Sequence, residues 1–366
     1  MKHIYTVIFL LFTTCSFAQI EGIYVSDAGN FNLPPWQIIK FDENGQNPSQ
    51  FIGTNLNWPQ DILFLEDSNV VLISNFGTNK INRHNASNGA YINDFTTDVV
   101  APTRMKIGSD GTIYVLQWDG TGRVKRYALD GTSLGDFTSV EVPQSIGLAW
   151  DTSGNLYVSS YTADLVRKFD PQGNDLGIFI DSDLVGPTNI WFNSDGNLLV
   201  ADYDGGAIKR FGPDGEYLGI FIPGLANTEG VDLLPNGNLL LGDGGTHSVK
   251  MFNADGDFLS DLIPSGSGGL ITPNAVVVRQ VSQVSVDEEG PTEERSIVRS
   301  ATVGTLFQFE NSVDLISIAI HTIDGALLEE VNGNSWNANG RAEGAYMVIA
   351  TWKDGTRTNE RIEVVH

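Results

Sequence analysis

The sequence repeats itself. A unit of about 42 residues recurs six times between residues 20 and 281, and a period of that length belongs to propeller blades or solenoid turns. The middle of each unit is a strand, a turn and a second strand. The six copies run Ile23 to Gly45, Val70 to Gly89, Ile113 to Gly131, Leu156 to Gly173, Leu198 to Gly215 and Leu239 to Gly256. Two copies, GNLYVSSYTADLVRKFDPQG (154–173) and GNLLVADYDGGAIKRFGPDG (196–215), show the pattern most plainly. Their short runs of β-branched, aromatic and aliphatic residues alternate with turn residues, and no helical period appears.

Most copies have a proline and a further apolar run upstream: Pro59 before Ile62, Pro102 before Met105, Pro143 before Ile146 and Pro187 before Ile190, with Thr228 in place of proline in the sixth. A fourth short strand follows each pair, as at Tyr217 to Ile222 and Leu176 to Ile180. Four antiparallel strands make one propeller blade. The first copy lacks its upstream strand, and the missing element stands at the other end, where Pro273 and residues 274–279 repeat it with no unit following. Pairing that segment with the first blade would close a ring and leave no free sheet edge. The expected fold is therefore all-β: a six-bladed β-propeller over 19–281, closed by a C-terminal strand.

The motif P-x-x-I, then D-x-x-G-N-L-Y-V, a polar loop and R-K-F-D-x-x-G, resembles the NHL-type repeat family of six-bladed propellers over residues 20 to 281. Family members range from interaction scaffolds to zinc-dependent lyases and calcium-dependent lactonases, so the resemblance implies a fold and leaves the activity open.

Both ends of the chain carry address signals. Lys2, the apolar run Ile8 to Phe12 and the small residues Ser16 and Ala18 have the layout of a signal peptide over 1–18, much shorter than the roughly 20 residues of a membrane span. Cys15 is the only cysteine and would leave with that signal, so no disulfide is expected in the exported chain. Residues 282–300 read as a polar linker. Residues 301–366 alternate apolar and polar residues as expected for a small Ig-like β-sandwich. The phrases ISIAIHTIDGALLEE and EGAYMVIATWKDGTRTNERIEVV resemble the C-terminal sorting domain of the Bacteroidetes type IX secretion system, with Asp324, Gly325, Leu327, Gly344, Tyr346 and Val348 matching. Ala326 replaces the usual lysine, and the chain ends on His366. The resemblance implies export across both membranes, the type IX machinery as a partner, and a secreted or cell-surface location.

A formal net charge of −24 disfavours nucleic acid and anionic lipid as partners. The repeated Asp-Gly and Asn-Gly pairs (110–111, 195–196, 214–215, 236–237 and 255–256) recur blade after blade, as hairpin turns do, and no D-x-D-x-D-G calcium run is present. The longer loops and the starts of the first strands share one face, the expected binding side. Polar residues at the strand starts (Asp61, Arg104, Gln144, Asn189, Glu229 and Asn274) would ring the channel mouth. Phe76, Trp118, Tyr161 and Tyr203 would stand on the loops above them. This set suits a glycan or a protein ligand, or water-bound polar groups that merely line a channel. Its oxygens also admit calcium. EGVDLLPNGNLLLGD (229–243) faintly resembles the lactonase opening motif, which makes a metal-dependent lactonase or lyase the alternative to a noncatalytic binding propeller. A histidine zinc site is disfavoured, because neither His84 nor His247 lies at a strand start.

Overall fold

In the computed structural model the described residues are 18–282, 298, 303–309, 314–322, 327–331, 335–353 and 357–365. Most of the signal peptide, nearly all of the 282–300 linker, and Asp324, Gly325, Ala326 and His366 of the sorting-domain motif lie outside them. The chain divides into two compact units, Met1–Gln283 and Val284–His366.

Among the described residues the first unit holds six four-stranded sheets, and five of them keep chain order. Blade 1 does not: its innermost strand is Pro273–Ser282, from the end of the unit, paired antiparallel to Ala18–Asp27 with Ile23 opposite Val278 and Val25 opposite Val276. The ring is closed as the missing first strand required. Six hydrophobic clusters fill the spaces between neighbouring blades. Leu72, Ile81 and Phe95 of blade 2 pack with Ile113, Val115 and Tyr127 of blade 3, and Ile23, Val25 and Phe41 of blade 1 pack with Leu240, Val249 and Ile263 of blade 6. Each sheet thus buries both faces, and no single blade owns a core.

Hydroxyl groups tie the inner strands together. Ser26 donates to the Pro59 carbonyl, Ser74 to Thr103, Thr103 to Ser145, Ser159 to Thr188 and Thr188 to Thr228, at 2.6–3.0 Å. A second repeated device fixes the loops. The last residue of the second strand accepts a backbone N–H from the loop that precedes its blade's first strand: Asp27 from Thr272, Asn75 from Asn57, Gln117 from Val100, Asp202 from Val185 and Asp243 from Ala226. These side chains are themselves buried and polar, and each spends its oxygen on a loop amide. The Asp-Gly and Asn-Gly pairs are turns, with Gly111, Gly196, Gly215, Gly237 and Gly256 at φ of 76–87°.

The second unit is a β-sandwich. A five-stranded sheet contains Leu315–Thr322, Gly344–Trp352 and Arg357–Val364, and a two-stranded sheet pairs Leu306–Gln308 with Ser335–Asn337. Phe307, Trp336, Ile320, Val348 and Trp352 form its core. No α-helix occurs among the described residues, and none of their helical segments is long and apolar enough to cross a membrane.

Candidate functional site

The first strand of each of blades 2 to 6 breaks its register just after its first residue: Pro59/Asp61, Pro102/Met105, Ser145/Leu148, Pro187/Ile190 and Thr228/Val231. Extra residues in one strand re-aim side chains, and here they are the ones that face the channel. In blade 4 the structural start is Ser145, two residues past the proline that sequence alignment places there. Gln144 is therefore displaced from the ring expected of it. It lies before the strand at φ 52° and accepts a hydrogen bond from Thr162, and Ile146 takes the position that Gln60, Thr188 and Glu229 hold elsewhere. Gly147 follows because a Cβ there would come within 2.2 Å of the Thr188 carbonyl oxygen.

Two cavities meet this ring. The upper one, about 310 Å³, is lined by Gln60, Ile146, Thr188 and Glu229 below and by Phe31, Trp58, Phe76, Trp118, Tyr161 and Tyr203 around them. Phe31, Phe76, Trp118, Tyr161 and Tyr203 come from the loop after the second strand in blades 1 to 5, and Trp58 from the residue before Pro59. Blade 6 offers Gly244 and Gly245 in the equivalent loop. The rings form a chain: Phe31 to Trp58 5.2 Å, Trp58 to Phe76 4.4 Å, Phe76 to Trp118 6.0 Å, Trp118 to Tyr161 5.5 Å and Tyr161 to Tyr203 6.0 Å between centroids. Tyr161 donates its hydroxyl proton to Asp204 at 2.7 Å.

The second cavity, about 200 Å³, lies deeper along the first strands and is lined by Asp61, Arg104, Lys106, Asn189 and Asp232 among apolar neighbours. Lys106 donates to the Leu148 carbonyl and Asp232 accepts the Val278 amide, so part of this polarity is spent on joining blades. Burial pushes the Asp232 carboxyl up and the Lys106 ammonium down.

Arg104 connects the two cavities. It lines the deeper one, is 2% exposed, and its guanidinium donates to Glu229 Oε1 at 2.9 Å, to the Asn274 carbonyl at 2.5 Å and to the Gln60 carbonyl. Asp61 Oδ1 lies 4.0 Å from it, and Asp61 Oδ2 accepts the Met105 amide. Burial raises the Glu229 carboxyl to about 7, with Arg104 pulling down and Asp61 adding to the rise. Burial likewise raises Asp61 against the pull of Arg104.

Of the residues expected at the mouth, the structure brings Phe76, Trp118, Tyr161, Tyr203 and Glu229 to one cavity. It sends Asp61, Arg104 and Asn189 to the deeper one and commits the Asn274 carbonyl to Arg104. Phe31 and Trp58 escaped the sequence reading. The half-buried Trp36 donates its indole N–H to the Phe31 carbonyl, whereas Trp150 and Trp191 pack against inter-blade cores.

The donor set does not fit calcium. Among the described residues no three His, Cys, Asp or Glu side chains are grouped to hold a metal ion. The carboxylates that could begin a site, Asp61 and Glu229, face a guanidinium that already supplies the cation.

No family model matches the chain, and no curated protein does. Solved structures do. One chain of a nidogen/laminin complex is 18% identical and covers 70% of this chain and 97% of its own, with a TM-score of 0.56. A protein of unknown function from Bacteroides caccae is 15% identical, covers 70% and 98%, and scores 0.54. A virginiamycin B lyase from Staphylococcus aureus is 19% identical, covers 66% and 84%, and scores 0.49. At these identities the first two likenesses are of fold alone, and function must be argued from the site.

Proposed function

We propose that this chain is a noncatalytic binding propeller, exported through the type IX secretion system to the cell surface or beyond, which recognises a compact moiety of a glycan or protein ligand at its channel mouth. The observation that carries the reading is the aromatic cup. Five blades place a ring on the same loop and a sixth ring fills the arc, around a cavity near the lower end of the roughly 300–1,000 Å³ usual for small-molecule sites. Aromatic side chains at a concave mouth supply large contact area at small entropic cost, which is why binding hot spots favour them.

A catalytic reading has less support. Burial raises the Glu229 carboxyl to about 7, but its Oε1 is held by Arg104, and two of the hydroxyls that line the cavity with it are committed, Thr188 to the Thr228 carbonyl and Tyr161 to Asp204. The sorting-domain resemblance, with Leu327, Gly344, Tyr346 and Val348 on described strands, supports the export part of the proposal.

An array of glycans and candidate proteins probed with the full chain tests the binding part. A true ligand loses about 1–3 kcal/mol of affinity on Trp118→Ala, with stability changed by less than about 1 kcal/mol. A ligand that binds the variant as tightly as the parent places the site elsewhere. Surface labelling of the natural host after deletion of 301–366 tests export, since undiminished display would remove the sorting role.

A further inference from the structure

The cup has an unusual balance of wall and floor. Its wall is almost wholly π surface, and the polar atoms of its floor are mostly engaged by the protein. Thr188 Oγ1 donates its one proton to the Thr228 carbonyl at 3.0 Å, with the Ala201 carbonyl at 3.2 Å as the alternative acceptor. With its amide oriented as its neighbours require, Gln60 donates to Glu229 Oε1 at 2.9 Å and accepts the Trp58 indole N–H at 2.8 Å. Glu229 Oε1 also takes Arg104. Glu229 Oε2 is left, with no hydrogen bond among the described residues. A pyranose carries hydroxyls around its edge that would each need a partner, and leaving them unpaired in such a cup is costly. A methylated ammonium needs no hydrogen bond at all. It needs ring faces for its polarised methyl groups and a nearby negative charge.

The other features of the mouth favour the cation. None of the five consecutive ring pairs lies parallel: interplanar angles run from 36° for Trp58 and Phe76 to 71° for Tyr161 and Tyr203, so no ring is sealed face-to-face against its neighbour. Tyr161 donates its phenol proton to the Asp204 carboxylate, which makes its ring more electron-rich. The chain's net charge of −24 adds a field that draws cations toward it.

We infer that the aromatic cup of Phe31, Trp58, Phe76, Trp118, Tyr161 and Tyr203 over Glu229 is a site for a quaternary ammonium group, free as a small solute or carried on a lipid head group. The inference rests on the channel-mouth reading for the place of binding and departs from it in the ligand, a cation in place of a sugar or a protein. Cation–π contact is the main attraction, supported by the Asp204 carboxylate bonded to Tyr161 and by the chain's net negative charge.

The test is calorimetry on the full chain with choline and with 3,3-dimethyl-1-butanol, which has the same shape and no charge. Choline should bind at least about 10-fold more tightly than the neutral isostere. Trp118→Leu, which keeps apolar volume but loses the π face, should weaken choline about 10-fold, and Trp118→Phe should restore most of it. A thermal melt of each variant separates loss of the site from loss of the fold. Co-sedimentation with phosphatidylcholine vesicles then assigns the source. Choline binding with vesicle binding indicates a head group, choline binding alone indicates a free solute, and both support the inference. Equal binding of choline and the isostere, an unaffected Trp118→Leu, or no choline binding to a folded chain overturns it. If choline fails while an array ligand still depends on Trp118, the channel-mouth reading stands and only the ammonium assignment falls.

Discussion

The two cavities of the channel are built by opposite means. The deeper one is made of strand residues whose polar groups are answered within the protein: Asp61 by Arg104, Asp232 by the Val278 amide, Lys106 by the Leu148 carbonyl. Its polar groups hold blades together. The upper one has a wall of aromatic residues outside the strands, whose rings form one chain around the open mouth. The difference teaches where this fold spends side chains on stability and where it leaves them for recognition. Arg104 marks the border, since it lines one cavity and bonds the floor of the other.

The border should be the most sensitive position. Arg104→Met leaves Asp61 and Glu229 buried without their cation, and removing one partner of a buried ionic cluster costs about 3–5 kcal/mol. Denaturant titration at pH 8 should show that loss. At pH 5 it should be smaller, because burial already raises both carboxyls and protonation relieves them. An equal loss at both pH values would mean that the guanidinium serves packing and not charge.

Next in size is Asp232→Ala, which removes the acceptor for the Val278 amide between blades 6 and 1. A loss of about 1–3 kcal/mol in stability is expected, with ligand affinity unchanged. If affinity changes and stability does not, the division of labour between the cavities is wrong.

The smallest effect is expected from His84, which lies away from both cavities. It is fully buried, its Nδ1 faces the Gly89 carbonyl at 2.9 Å, its Nε2 has no partner among the described residues, and burial lowers its pKa. A pKa lower in the folded than in the unfolded chain means that the unfolded chain binds the proton more readily. Stability from neutral His84 is therefore present above the ordinary value of 6.5 and declines as pH falls below it. Melting temperatures of the parent between pH 7 and 5 should fall more steeply than those of His84→Asn.

Much of the fold is legible in the sequence because propeller blades repeat their punctuation. Glycines at positive φ end the hairpins, and the orphaned first strand at Pro273 announces closure. The site is half legible for the same reason. Phe76, Trp118, Tyr161 and Tyr203 fall at one repeat position, whereas Phe31 sits in an irregular loop that contains Pro34 and Pro35, and Trp58 has Ala101, Gly186 and Asn227 as its counterparts. Blade 4 misleads because its proline does not mark its strand start, so the repeat pattern points to Gln144 where Ile146 stands. The split between Gln60 and Asp61 depends on a register break that no periodicity records.

The central claim is that ligand enters the aromatic cup and not the charged cavity beneath it, and the tryptophans report on it directly. The chain has seven. Trp58 and Trp118 line the upper cavity, Trp191 lines the deeper one, and Trp36, Trp150, Trp336 and Trp352 line neither. In fluorine NMR of the full chain labelled with 5-fluorotryptophan, assigned by single Trp→Phe substitutions, titration with a ligand recovered from the array should move the Trp58 and Trp118 resonances and leave Trp191 in place. Movement of Trp191 with Trp58 and Trp118 unmoved would contradict the account.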